Sequence, residues 1–209
     1  MSLPTKAFTL ADMLLIHGNS TPGRIQSRLM FVDSYEEQVS IVNDAIDYCI
    51  KDLVVSKHHR KDDGEDRLTV DIVSILKAMG FQASHDTDVG GHCDVVIVGK
   101  NDFLWLGEAK IHKSYDWDFQ GLQQLSTRYS TGLVGQDHGG LILYTWNKNS
   151  KEMMDKWAAH LVASKPDLTI ETCSRNPLVR NSVHDHPATG LPFYVRHTPV
   201  SLYFSPQDK

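Results

Sequence analysis

The sequence has few cysteines, and they are not arranged as a framework. Cys49, Cys93 and Cys173 are an odd number, and no C-x-x-C pair occurs. That excludes a disulfide-built scaffold and a Cys-rich zinc site, and a reducing, cytoplasmic setting is the simpler expectation. No apolar run reaches membrane-spanning length, so no membrane association is expected. The N-terminal apolar stretch is short and interrupted by Asp12, unlike a secretory leader. Excess positive charge is also missing. Lys and Arg number 21 against 26 Asp and Glu, for a formal net charge of −5. That excludes a protein that coats nucleic acid by bulk charge, but not an enzyme with a local basic rim. Internal repeats, low-complexity tracts, P-loops, H-E-x-x-H, G-x-S-x-G and zinc-finger spacings do not occur.

What is present is ordinary globular usage, 41% hydrophobic and 22% charged over 209 residues. This suits a single domain, 1–209, in three parts: an N-terminal helical extension over 1–60, a core over 63–172, and a C-terminal loop and strand pair over 173–209. A short helix is expected near 8–16, then a loop with Gly18, Pro22 and Gly23. Ser34 and Glu37 have the form of a capping box. Tyr35, Val39, Val42, Ile46, Cys49, Ile50 and Leu53 then recur at helical spacing to about residue 56. The polar run 57–64 reads as an exposed loop. A second helix starts at Gly64–Glu65, with Leu68, Ile72, Ile75, Leu76 and Met79 on its apolar face and Gly80 as its stop.

Two apolar runs, Cys93–Val98 and Phe103–Ile111, flank the turn-forming Gly99-Lys100-Asn101-Asp102, which predicts a β-hairpin. Later segments predict a helix over 114–130, a strand over 140–146 and a helix over 149–163. A strand is expected over 168–172, a loop-like tail over 174–192, and closing strands at 193–196 and 200–204. The order indicates a mixed α/β domain with a central mixed sheet flanked by helices.

The hairpin carries the chemistry. With Lys100–Asp102 as its loop, Gly99 pairs with Phe103 and Asp94 falls opposite Glu108. Glu108 and Lys110 share a face by the period of two, while Gly107 and Ala109 turn to the other. Two adjacent carboxylates raise each other's pKa unless a cation neutralises them. Mg²⁺ prefers one or two carboxylates plus phosphate and water, and a lysine beside it offsets charge on a phosphate. Glu65 lies on the same helix face as Leu68 and Ile72, so a buried carboxylate there needs a partner. It serves equally as a first-turn acid at a helix N-terminus. Gln120, Gln124 and Arg128 form a polar stripe at i, i+4, i+8 that could face substrate phosphates.

Asp94 followed by Glu108-Ala109-Lys110 on the next strand resembles the motif of the PD-(D/E)XK phosphodiesterase superfamily. Glu65 and the segment Gly121–Tyr129 are similar to further features of it, so the resemblance covers roughly residues 63–146. It implies a restriction-endonuclease-like αβββαβ core, Mg²⁺ or Mn²⁺ as cofactor, and nucleic-acid cleavage with DNA as the favoured target. Glu65, Asp94, Glu108 and Lys110 would be catalytic, and Asp94, Glu108 and Glu65 would hold the metal. Gln124 and Arg128 would bind substrate. Cys93 stands where the family's name has a proline. Defence against foreign DNA follows by family analogy only. The alternative is a non-catalytic nucleic-acid- or nucleotide-binding module on the same fold. The C-terminal strands 193–204 could also pair across chains in a homo-oligomer.

Overall fold

The computed structural model describes residues 9–208. Six α-helices are present among them: α1 Leu10–His17, α2 Thr21–Phe31, α3 Tyr35–Val55, α4 Glu65–Ala78, α5 Tyr115–Gln124 and α6 Ser150–Ser164. The strands are β1 Gln82–Ser84, β2 Thr87–Asp88, β3 His92–Cys93, β4 Val95–Val98, β5 Leu104–Ile111, β6 His138–Thr145, β7 Thr169–Thr172, β8 Arg180–Asp185 and β9 Pro192–Ser201. Seven of these form one mixed sheet in the order β1-β4-β5-β6-β9-β8-β7, and β2 pairs with β3 in a small ribbon. β5, β6 and β9 run parallel, and the other pairs in both sheets are antiparallel.

The alternation of β5 divides the core. Trp105 and Ala109 join Ile142 and Tyr144 against Leu53 of α3 and Leu68 and Ile72 of α4. Leu106 joins Leu141 and Leu143 against Leu122 of α5 and Trp157 of α6. Helices therefore cover both faces, which a sheet with parallel central strands requires. Each large side chain buried in this way contributes about 1.5–3 kcal/mol. Ser34 accepts the Glu37 amide at 3.2 Å, so the Ser34 half of the expected cap forms. The 57–64 segment contains a single 3-10 turn, Lys57–His59. Arg60 there binds Asp63 and Asp71, which ties the loop to α4.

Four expectations need correction. The loop placed around Pro22 and Gly23 is helix α2, capped by Ser20. A Cβ at Gly23 would stand 1.9 Å from the His17 carbonyl oxygen, so this glycine permits a close approach and does not break the chain. The helix expected over 114–130 changes at Leu125 into a π-helical turn that runs to Tyr129. The loop-like tail contains β8. The two closing strands are one strand, β9, which passes unbroken through Pro199. β9 lies inside the sheet between β6 and β8, so it is not an appendage, and over Tyr194–His197 both its edges are paired. Tyr194 and Leu202 donate toward the β6 side, to Asp137 and Thr145. By alternation the missing amide of Pro199 faces the β8 side, where the ladder has already ended at Arg180–His197. No described helix is long and apolar enough to cross a membrane.

Candidate active site

The hairpin turn sets the site. Gly99 donates to the Phe103 carbonyl at 3.0 Å, and Asn101 and Asp102 adopt positive φ of 56° and 58°. Asn and Asp tolerate that left-handed region better than most residues. The ladder then runs from Val98–Leu104 to Val95–Gly107. One step further it brings Asp94 opposite Glu108, the register expected from the sequence.

β4 stops there and β5 continues, so β5 has an open edge beyond Gly107. Two side chains fill it. Asp94 Oδ2 accepts the Ala109 amide at 2.8 Å, and Glu65 Oε2 accepts the Ile111 amide at 2.7 Å. The carboxylates stand in for the missing strand, which is why Glu65 at the start of α4 points inward. Glu108 and Lys110, the intervening residues, project to the α5 face. Lys110 Nζ lies 2.5 Å from Glu108 Oε1 and 3.8 Å from Glu65 Oε1.

Glu108 is 1% exposed, and its Oε2 has no hydrogen-bond partner among the described residues. It faces the Asp94 carboxyl, and the two can bond directly only through a shared proton. Burial, then the Asp94 charge, pushes Glu108 up to about 8 against the opposing pull of Lys110. Burial also raises Asp94 and Glu65, although the Ala109 and Ile111 amides pull the other way. Burial alone would lower Lys110, but its bond to Glu108 and the surrounding carboxylates outweigh it and leave the ammonium favoured.

Helix α5 lies over this centre. Ser114 caps it by accepting the Trp117 amide, and buried Asp118 bonds His112 Nδ1 at 2.6 Å, fastening α5 to the end of β5. Gly121 sits against Lys110: a Cβ there would be 2.9 Å from Lys110 Cγ. Half-buried Gln124 and exposed Arg128 line a cavity of about 300 Å³ with Lys110, Gln120 and Trp117. The structure thus gathers Glu65, Asp94, Glu108 and Lys110, and sets Gln124 and Arg128 beside them. His92 is exposed and pairs with Asp86 at 2.9 Å. His184 on β8 bonds Ser126 of the π-helical turn, and His186, just after β8, bonds Ser130 at the end of that turn. The His112–Asp118 clamp and Trp117 were not anticipated. The signal for the clamp was Asp118 four residues after a capping Ser114, one turn into the new helix.

Among the described residues, no group of three or more His, Cys, Asp or Glu side chains converges on a common metal position. Mg²⁺ needs fewer, since one or two carboxylates plus water and phosphate suffice. The orphaned Glu108 oxygen beside Asp94 fits that requirement, whereas Glu65 Oε1 lies 3.8 Å from Lys110 Nζ. The chain matches no protein-family model. It also matches no curated protein and no solved structure.

Proposed function

We propose that the protein is a metal-dependent nuclease that hydrolyses phosphodiester bonds, with DNA as the favoured substrate. One observation carries this reading: a buried carboxylate oxygen without a donor faces a second carboxylate beside a lysine. Apposed carboxylates are costly unless a proton or cation lies between them. The order α4–β1–β4–β5–α5–β6 supports the restriction-endonuclease-like core that the motif implies.

Asp94 and Glu108 would hold Mg²⁺ or Mn²⁺. Such an ion activates water, polarises a phosphoryl oxygen and neutralises the leaving oxygen. Lys110 keeps its proton and is held by Glu108, so it can donate to the attacking water or to a phosphate oxygen. Glu65 holds Lys110 from the α4 side and fixes the β5 edge. Gln124 and Arg128 offer donors to phosphates along α5.

A second reading has its own support. The Glu108–Lys110 pair already closes at 2.5 Å, and an Asp94–Glu108 pair sharing a proton needs no metal. That suits a binding module without catalysis. Incubation with plasmid DNA, oligonucleotides and RNA in Mg²⁺, Mn²⁺ or EDTA separates the two. Cleavage that needs the metal and is lost in Lys110→Ala supports the nuclease. Binding without cleavage under every condition supports the module.

A further inference from the structure

The cavity beside Lys110 does not end at Lys110. Gln123 and Thr127 line it, and the same two residues line a second cavity of about 360 Å³ on the far side of their helical turn. Phe119, Pro166 and Pro187 form apolar walls of the second cavity, and Lys165, Asp167 and His184 supply its polar groups. The two cavities therefore adjoin at the Gln123–Thr127 turn, between Lys110 and Lys165.

Each end carries a buried ring nitrogen with no partner among the described residues: Trp117 Nε1 at the Lys110 end and His184 Nδ1 at the Lys165 end. His184 is 3% exposed, and its Nε2 is already engaged by Ser126 at 3.1 Å. Burial keeps its imidazole neutral, so it carries one proton. Whichever ring nitrogen holds that proton, Nδ1 lacks a partner, as a donor or as an acceptor. Lys113 lies over the Trp117 ring at 4.9 Å, and Lys165 pairs with Asp167 at 2.9 Å, so cations stand at both ends. An orphaned buried polar group is costly, and a ligand partner would relieve it.

We propose that a single nucleic-acid strand runs over these adjoining cavities, from Lys110 across the Gln123–Thr127 turn into the pocket at His184 and Lys165, making single strands the preferred substrate over duplex. This rests on the nuclease reading. A duplex keeps its base edges inside its grooves and presents phosphates on a broad rod. Recessed ring nitrogens with apolar walls suit a strand whose bases are free to enter and pack. Phe119 and the two prolines provide that packing surface, and the three glutamines at 120, 123 and 124 provide donors and acceptors without adding charge.

The test uses the full chain in EDTA, where cleavage is blocked, and fluorescence anisotropy of labelled 20-residue oligothymidine, oligouridine and a blunt DNA duplex. Cleavage of the DNA probes with Mn²⁺ and thermal unfolding are followed in parallel. Wild type should bind oligothymidine at least 10-fold more tightly than duplex, and comparison with oligouridine shows whether the strand is DNA or RNA. Lys165→Glu and Gln123→Glu should each weaken that binding about 10-fold, and Lys165→Glu should lower the salt slope by about 0.7, the loss of one strand phosphate contact. If Lys165→Glu does not fold, the exposed Gln123→Glu decides. Variants that bind and cut like a wild type that remains a nuclease would overturn the strand path alone. Preference for duplex would also overturn it. A wild type that neither binds nor cuts would remove the nuclease reading as well.

Discussion

Asp94 and Glu108 face each other at the point where β4 leaves β5, and they differ in what holds them. Asp94 is anchored by the Ala109 amide at 2.8 Å, whereas Glu108 Oε2 has no donor among the described residues. Asn at position 94 keeps an oxygen for that amide but removes the charge. Asp94→Asn should therefore fold normally and lose cleavage by about 100-fold or more, the scale of losing one electrostatic participant. Its Glu108 should titrate below the wild-type value of about 8, since the Asp94 charge is one cause of that elevation. Steady-state cleavage and carboxyl-carbon NMR titration check the two parts.

Glu108 also sets a pH dependence for the metal-free protein. Its folded value is about 8 against an ordinary 4.5. Below about 4.5 both states hold the proton, and the stabilising contribution is complete. Above it the unfolded chain loses the proton while the folded protein keeps it, so stability falls as pH rises, flattening once pH passes about 8. For one group the slope is about 1.4 kcal/mol per pH unit. Urea unfolding in EDTA from pH 5 to 8 should show wild type losing stability relative to Glu108→Gln across this window. Parallel curves would refute the assignment.

Glu65 fills the β5 edge, so its loss acts on stability as well as chemistry. Glu65→Ala removes the acceptor of the Ile111 amide and should cost about 1–3 kcal/mol. Glu65→Gln keeps an oxygen there and should cost less than about 1 kcal/mol. A weaker cleavage activity in Glu65→Gln with near-normal stability would mark its charge as the part that matters near Lys110. Chemical denaturation and cleavage rates give both readouts.

Gly121 is the close approach that fixes Lys110. In Gly121→Ala the new Cβ meets Lys110 Cγ at 2.9 Å and Leu141 Cδ1 at 3.2 Å. Alanine gains about 1 kcal/mol of helix propensity over glycine. Stability should therefore change little, while cleavage falls about 10-fold as Lys110 is displaced, an effect in line with other positioning losses. Unchanged cleavage would show that Lys110 placement is not critical.

The centre of the site was legible because the turn chemistry at Gly99–Asp102 and the period of two together fix the register of Asp94 and Glu108. The long helices α3 and α4 were legible from apolar spacing. The misses have physical reasons. β8 buries Arg180, Ser182 and His184, so its inward face is polar and no hydrophobic alternation marks it. The two expected closing strands stop on either side of Pro199, but its missing amide falls where no partner strand runs. Gly23 signalled a loop, but it serves the packing of α2 against the end of α1. The π-helical turn and the residue after it meet β8 and the residue after that strand through Ser126–His184 and Ser130–His186, contacts that local sequence does not mark.

The most direct measurement of the central claim is anomalous diffraction from crystals soaked in Mn²⁺. The account predicts one strong peak between the Asp94 and Glu108 carboxylates, at the free Glu108 Oε2, with Lys110 Nζ still on Oε1. A saturated soak that leaves this position without a peak would contradict it.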